Sequence, residues 1–157
     1  MIYNGYIGYV LDDGGRGAAG YKGWVGDCVV RAVAIATEQP YKTVHDEIGA
    51  LCRAERKGKR ARKRGPDNGV SVKRQWFKEY MARLGWKFTP TMSIGSGCQV
   101  HMRDNELPRG RIIVSLSKHY CAVIDGVIHD LSDPSRDGTR CVYGYWSKNN
   151  LAEERNP

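Results

Sequence analysis

Cys28 stands at the end of a glycine-spaced approach, Lys22-Gly23-Trp24-Val25-Gly26-Asp27-Cys28, and opens the apolar run CVVRAVAIAT. A thiol in the first turn of a helix meets unpaired backbone N–H groups and the positive end of the helix dipole, and both favour the thiolate. The chemistry open to such a sulfur is nucleophilic attack on an acyl carbon, provided that a base takes its proton. Gly23 and Gly26 allow the approach to bend and leave the sulfur open. Asp27 is placed to act as the N-cap of the helix. Its charge partly opposes the thiolate, so the base must compensate.

The candidate base is His119, at the start of HYCAVIDGVIHD. Asp125-Gly126 is a two-residue type I′ turn signal between two apolar runs, which predicts a hairpin. Pairing Ile124 with Val127 and counting back sets Cys121 opposite Asp130 and His119 opposite position 132. Cross-strand partners share a face, so His119 and Asp130 become diagonal neighbours on one side. A carboxylate there orients the imidazole and fixes its tautomer, as the third member of a triad does. A bulge would bring Asp133 to that face instead, so Asp133 is the second choice.

The nucleophile needs a buried helix and the base needs a sheet. Residues 28–37 are small or apolar all round, which predicts a central buried helix closed by Pro40. Val44, Ile48, Leu51 and Cys52 fall on one stripe of a second helix over 41–57, and Val72, Trp76, Phe77, Tyr80, Met81 and Leu84 line a third over 71–84. Between them, residues 57–69 carry the Gly, Pro and Asn signals of a loop. Strands are predicted over 86–89, 111–117, 120–124, 127–131 and 141–146. The opening to Gly26 has no period and reads as extended chain and loops. The fold class is therefore α+β, one domain over 1–147 with a polar tail over 148–157.

Other residues that could do chemistry are less well served by their surroundings. Cys98-x-x-His101 has metal-ligand spacing but no second pair to complete a zinc site. Asp12-Asp13-Gly14-Gly15 lacks the later ligands of a calcium loop. His45 and His129 read as surface or packing residues, and Cys52, Cys121 and Cys141 as core. The net charge is +8, of which Arg53, Arg56, Lys57, Lys59, Arg60, Arg62, Lys63 and Arg64, less Glu55, supply +7. This local basic segment is a candidate contact for nucleic acid or an acidic protein. It has no interleaved aromatics for base stacking. No run approaches the roughly 20 apolar residues of a membrane span, so no membrane association is expected. The opening MIYNGYIGYVLDDGG lacks the basic and apolar regions of a signal peptide, and the five cysteines are odd in number and scattered. Both features lead to the expectation of a cytoplasmic protein.

The stretch K-G-W-V-G-D-C-V resembles the active-site motif of papain-like cysteine peptidases, Q-G-x-C-G-S-C-W at a helix start, with both glycines and the cysteine in register. H-Y-C-A-V-I-D-G is similar to the histidine strand of that superfamily. The order Cys, His, Asp matches its bacteriocin-processing and cell-wall branches. The chain also resembles a group of bacterial and phage proteins that carry GDCVVRA-IAT and HxxAVIDG. The resemblance implies a papain-like fold, with a helical half led by the Cys28 helix packed on an antiparallel sheet that bears His119 and Asp130. It implies thiol-dependent hydrolysis of a peptide, isopeptide or related amide bond in a peptide or protein substrate, with no cofactor. Lys22 stands where the family has the glutamine that donates to the oxyanion, so the resemblance assigns Lys22 that role beside the Cys28 amide. Val29 replaces the family's aromatic residue, and Asp replaces its Asn. The alternative is a catalytically silent module of the same fold that uses the basic segment to bind nucleic acid or an acidic protein.

Overall fold

A computed structural model describes residues 6–55 and 65–148. The tail beyond 148, and most of the basic segment and of the loop over 57–69, lie outside the described residues. Three helices, α1 (Cys28–Thr37), α2 (Tyr41–Ala54) and α3 (Gln75–Arg83), pack on a six-stranded sheet. The architecture is mixed α+β. The strands are β1 (Gly8–Leu11), β2 (Trp86–Pro90), β3 (Val100–His101), β4 (Arg111–Leu116), β5 (His119–Ile124), β6 (Val127–Asp130), β7 (Cys141–Val142) and β8 (Gly144–Lys148). The main sheet runs β1-β6-β5-β4-β8-β2, and β3 pairs with β7 in a separate ribbon.

Every adjacent pair in the main sheet is antiparallel except β1 with β6, which is parallel. The wholly antiparallel sheet expected from the sequence is corrected at this edge. β1 escaped notice because all four of its residues are exposed, so it has no alternating apolar pattern to betray it. The last predicted strand is also divided. At Tyr143 the chain leaves one pairing for the other, its amide donating to the Ser115 carbonyl at 2.9 Å and its carbonyl accepting from Thr91 N–H at 3.0 Å.

α1 is buried from Val29 to Ala36, and Val30 and Val33 are wholly inaccessible. Each such valine contributes about 1.5–3 kcal/mol through the apolar surface it removes from water. The helix ends at Thr37, three residues before Pro40, and Glu38 then takes a left-handed conformation (φ 61°). No basic residue lies in its last turn. Arg111 of β4 supplies the charge instead, donating to the carbonyls of Ala36 (3.0 Å) and Ile35 (2.6 Å). This pins the C-terminal end of α1 to the sheet and satisfies carbonyls that the helix leaves open. α2 stops at Ala54, and α3 starts at Gln75, later than its apolar stripe implies. Val70 and Val72 pack against the helix-side core before the helix begins.

Two apolar clusters result, one between the helices and the sheet and one on the opposite sheet face beneath β3 and β7. Cys141 does not serve as a core thiol. It is half-buried and disulfide-bonded to Cys98, with Cα atoms 5.8 Å apart. Cys52 and Cys121 are buried in the core, as expected. Among the described residues no helix is long and apolar enough to cross a membrane.

Candidate active site

The hairpin forms in the expected register. Asp125 (φ 48°) and Gly126 (φ 77°) turn it, and Ile124 pairs with Val127. Positive φ at both central residues is what a type I′ turn demands, and at the second of them glycine adopts it without a steric cost. The register carries His119 and Asp130 to the same end of the sheet. His119 Nε2 lies 2.6 Å from Asp130 Oδ2. Asp133 is exposed and its carboxylate is occupied locally by the Ser135 amide at 2.9 Å. Of the two acidic candidates, Asp130 is the one that meets the imidazole.

A carboxylate only accepts, so Nε2 of His119 carries a proton toward Asp130 and Nδ1 is left for the sulfur. Beside the Cys28 thiol stand the His119 side chain and the Tyr120 amide, both able to hydrogen-bond to it. Burial pushes the thiol up, but these two hydrogen bonds, the imidazolium charge and the Arg31 charge bring it net below an ordinary cysteine. Burial likewise disfavours charged His119, and hydrogen bonds to Asp130 and Cys28 outweigh it, raising the imidazole to about 9. Asp130 is disfavoured as an anion by burial, yet His119, the Leu131 amide and Arg31 hold it below the usual carboxylate range. Shifts in these directions describe a thiolate–imidazolium pair held by a carboxylate. Asp130→Asn is expected to lower the His119 midpoint from about 9 toward 6.5, measured by NMR titration of the imidazole. An unmoved midpoint would show that the carboxylate does not sustain the imidazolium.

The nucleophile's approach is organised differently from the sequence reading. Asp27 is not a side-chain N-cap. It is 1% exposed and faces inward, bonded to the Arg31 guanidinium and accepting from the Tyr41 hydroxyl at 2.7 Å. The next partner of Arg31 is Asp130 Oδ1, at 3.3 Å. Asp27 therefore does not bear on the thiolate as an uncompensated charge. It holds the guanidinium that in turn holds the orienting carboxylate. A charge inside an otherwise apolar helix must be paired, and Arg31 lies one turn beyond Asp27, so the signal was present in CVVRAVAIAT.

Arg16 is a second buried cation without a sequence signal. It donates to the carbonyls of Lys22 (3.0 Å) and Gly23 (3.3 Å), to the Tyr41 hydroxyl (2.6 Å) and to Asp67 (3.2 Å). These bonds staple the approach to α2 and to the segment after the basic loop. Gly23 turns with φ 79°, whereas Gly26 is extended and pairs with Asn68. Gly26 N–H donates to the Asp67 carbonyl at 2.9 Å. The acidic turn that resembled a calcium loop is also an anchor: Asp13 accepts from the amides of Gly15 and Gly17, both at 2.9 Å, and Asp12 meets His129 Nδ1 at 2.9 Å.

A cavity of about 640 Å³ opens at the dyad, lined by Cys28 and His119 together with Gly69, Val70, Lys73 and Ser117. Lys22 is exposed and does not line this cavity; the lysines that do are Lys73 and Lys118. The structure thus brings Cys28, His119 and Asp130 together and leaves Lys22 apart from them. Cys98 is in its disulfide and His101 Nδ1 is 3.1 Å from Glu106, so that pair builds no metal centre. Among the described residues no group of three His, Cys, Asp or Glu side chains could hold a metal ion.

No protein-family model, no curated protein and no solved structure matches the chain.

Proposed function

We propose that the chain is a papain-like cysteine hydrolase that cleaves a peptide, isopeptide or related amide bond through Cys28, His119 and Asp130. The observation that carries the reading is the His119–Asp130 hydrogen bond beside Cys28, with the thiol and the imidazole on the wall of one open cavity. A helix-start thiol, a strand imidazole and a buried carboxylate have no need to meet for the sake of packing. Together they supply nucleophile, proton carrier and orienting group.

In this reading the Cys28 thiolate attacks the carbonyl carbon, and the carbonyl electrons move to oxygen. The Cys28 amide, at the N-terminus of α1 and outside the helix's own ladder, stabilises that oxyanion. Imidazolium His119 gives its proton to the amine as the C–N bond breaks, leaving a thioester on Cys28. His119, now neutral, takes a proton from water. The hydroxide adds to the thioester, and collapse releases the carboxylic acid and the thiolate. Asp130 keeps the ring oriented throughout, and Arg31 fixes Asp130.

The test is alkylation by iodoacetamide across pH, with each cysteine mapped by mass spectrometry. Cys28 is expected to react faster than Cys52 and Cys121, with a midpoint below that of a free thiol and a plateau above it. Hydrolysis of an amide substrate is expected to follow a bell instead. Its acid limb reports loss of the thiolate, and its alkaline limb, near 9, reports loss of the imidazolium proton that the leaving amine requires. A Cys28 that stays inert in the folded protein would sink the hydrolase and favour a silent binding module.

A further inference from the structure

A second cavity, of about 660 Å³, adjoins the first. It lies among α3, β2 and β8, with Trp86, Phe88, Pro90, Met92 and Trp146 on its walls. Trp146 packs on Phe88 with ring centroids 5.2 Å apart, and its indole N–H is spent on the Tyr120 hydroxyl at 3.3 Å. The wall is therefore aromatic and offers few polar groups. Met92 and Tyr143, which are 40% and 41% exposed, keep it open to solvent. Lys73, Lys78 and Lys87 also line it, and among the described residues no acidic side chain does. Val72, Lys73, Ser115, Tyr120 and Tyr143 line both cavities. Tyr120 joins them most directly: its amide stands beside the Cys28 thiol, and its hydroxyl meets Trp146 on the second wall.

We propose that this second cavity is the specificity pocket of the Cys28 centre, and that it selects substrates carrying a large aromatic or apolar group with an anionic substituent beside the bond cleaved. The inference rests on the hydrolase reading above. Its volume suits a small-molecule-sized group, and a largely apolar wall with a few directed charges is how such sites obtain both affinity and orientation. Burial of the apolar body drives binding, and the lysines give preference to an anion at the rim.

The test compares three electrophiles that share one reacting group: iodoacetamide, N-phenyl iodoacetamide and an iodoacetyl aminonaphthalene sulfonate. Rates at Cys28 are divided by the rates with glutathione, which removes intrinsic reactivity. The naphthalene sulfonate is expected to exceed iodoacetamide by about tenfold or more, with saturation, and the phenyl compound to fall between them. Added salt and Lys73→Ala should reduce the sulfonate's advantage more than that of the neutral phenyl compound. Ala82→Trp, on an exposed position of α3 beside the cavity, should reduce both relative to iodoacetamide in the same variant. Equal normalised rates for the three reagents, or ratios untouched by Ala82→Trp, would overturn the pocket and leave the hydrolase standing. Slow reaction of Cys28 with iodoacetamide itself would overturn the hydrolase reading and this inference with it.

Discussion

Replacing His119 by alanine is expected to slow amide hydrolysis by about 10⁴-fold or more, the scale on which removal of one member of a catalytic unit acts. Alkylation of Cys28 should fall much less, and the difference is informative. Without the imidazole, burial dominates the thiol, and its midpoint should rise to or above 9.0. At pH 7 such a thiol is about 1% thiolate or less. A more basic sulfur is also more nucleophilic, so the net loss in alkylation at pH 7 is smaller than the loss of thiolate. Iodoacetamide kinetics on the folded variant read this directly. A midpoint unchanged from the parent would mean that the imidazole does not take the thiol proton, and the dyad would fail.

The second large effect is on stability. Arg31→Met is expected to cost about 3–5 kcal/mol, because it removes the guanidinium that the buried Asp27 and Asp130 share, leaving Asp27 with the Tyr41 hydroxyl and a longer 3.6 Å pairing to Arg16, and Asp130 with His119. That is a large share of the roughly 5–15 kcal/mol that holds an ordinary domain together. Urea unfolding of the purified protein would measure it. Adding Asp27→Asn to Arg31→Met should return part of the loss, since one of the two carboxylates that lost the guanidinium is then neutral. The pair thus gives a coupling free energy where a merely bulky core residue would give none. If Arg31→Met were neutral in stability, the series Asp27–Arg31–Asp130 would not be a structural unit. In a variant that remains folded, loosened Asp130 should also let the His119 midpoint fall from about 9, which separates a positioning role from general destabilisation.

Much of the site was legible in residue order alone. An alanine- and valine-rich run following Gly-Asp-Cys places a thiol at a helix start, because nothing in that run suits an exposed or extended segment. The Asp125-Gly126 turn fixes a register, and a register fixes which carboxylate faces His119. Local backbone preference sufficed for that, as the strand period of two left only Asp130 on the correct face without a bulge. The helix stripes were legible for the same reason, although α3 begins later than its apolar pattern because Val70 and Val72 pack while still outside the helix.

What remained hidden depended on contacts between distant segments. Arg16 meets Asp67 and Tyr41, Arg111 caps α1 from β4, and β1 joins β6 in parallel across more than a hundred residues. No periodicity encodes such meetings. Asp27 was read as a cap because short-range rules favour that role, yet a buried guanidinium one turn away offers its carboxylate a better partner than an amide. Lys22 took its oxyanion role from resemblance, and its exposed place outside the dyad cavity is a matter of how the approach is stapled. The sequence by itself therefore pointed to Cys28 and His119, with Asp130 ahead of Asp133, through helix start, turn and strand alternation. Only the tertiary structure decided how the three are held and charged, because buried ion pairs join residues that the chain brings together after it has folded.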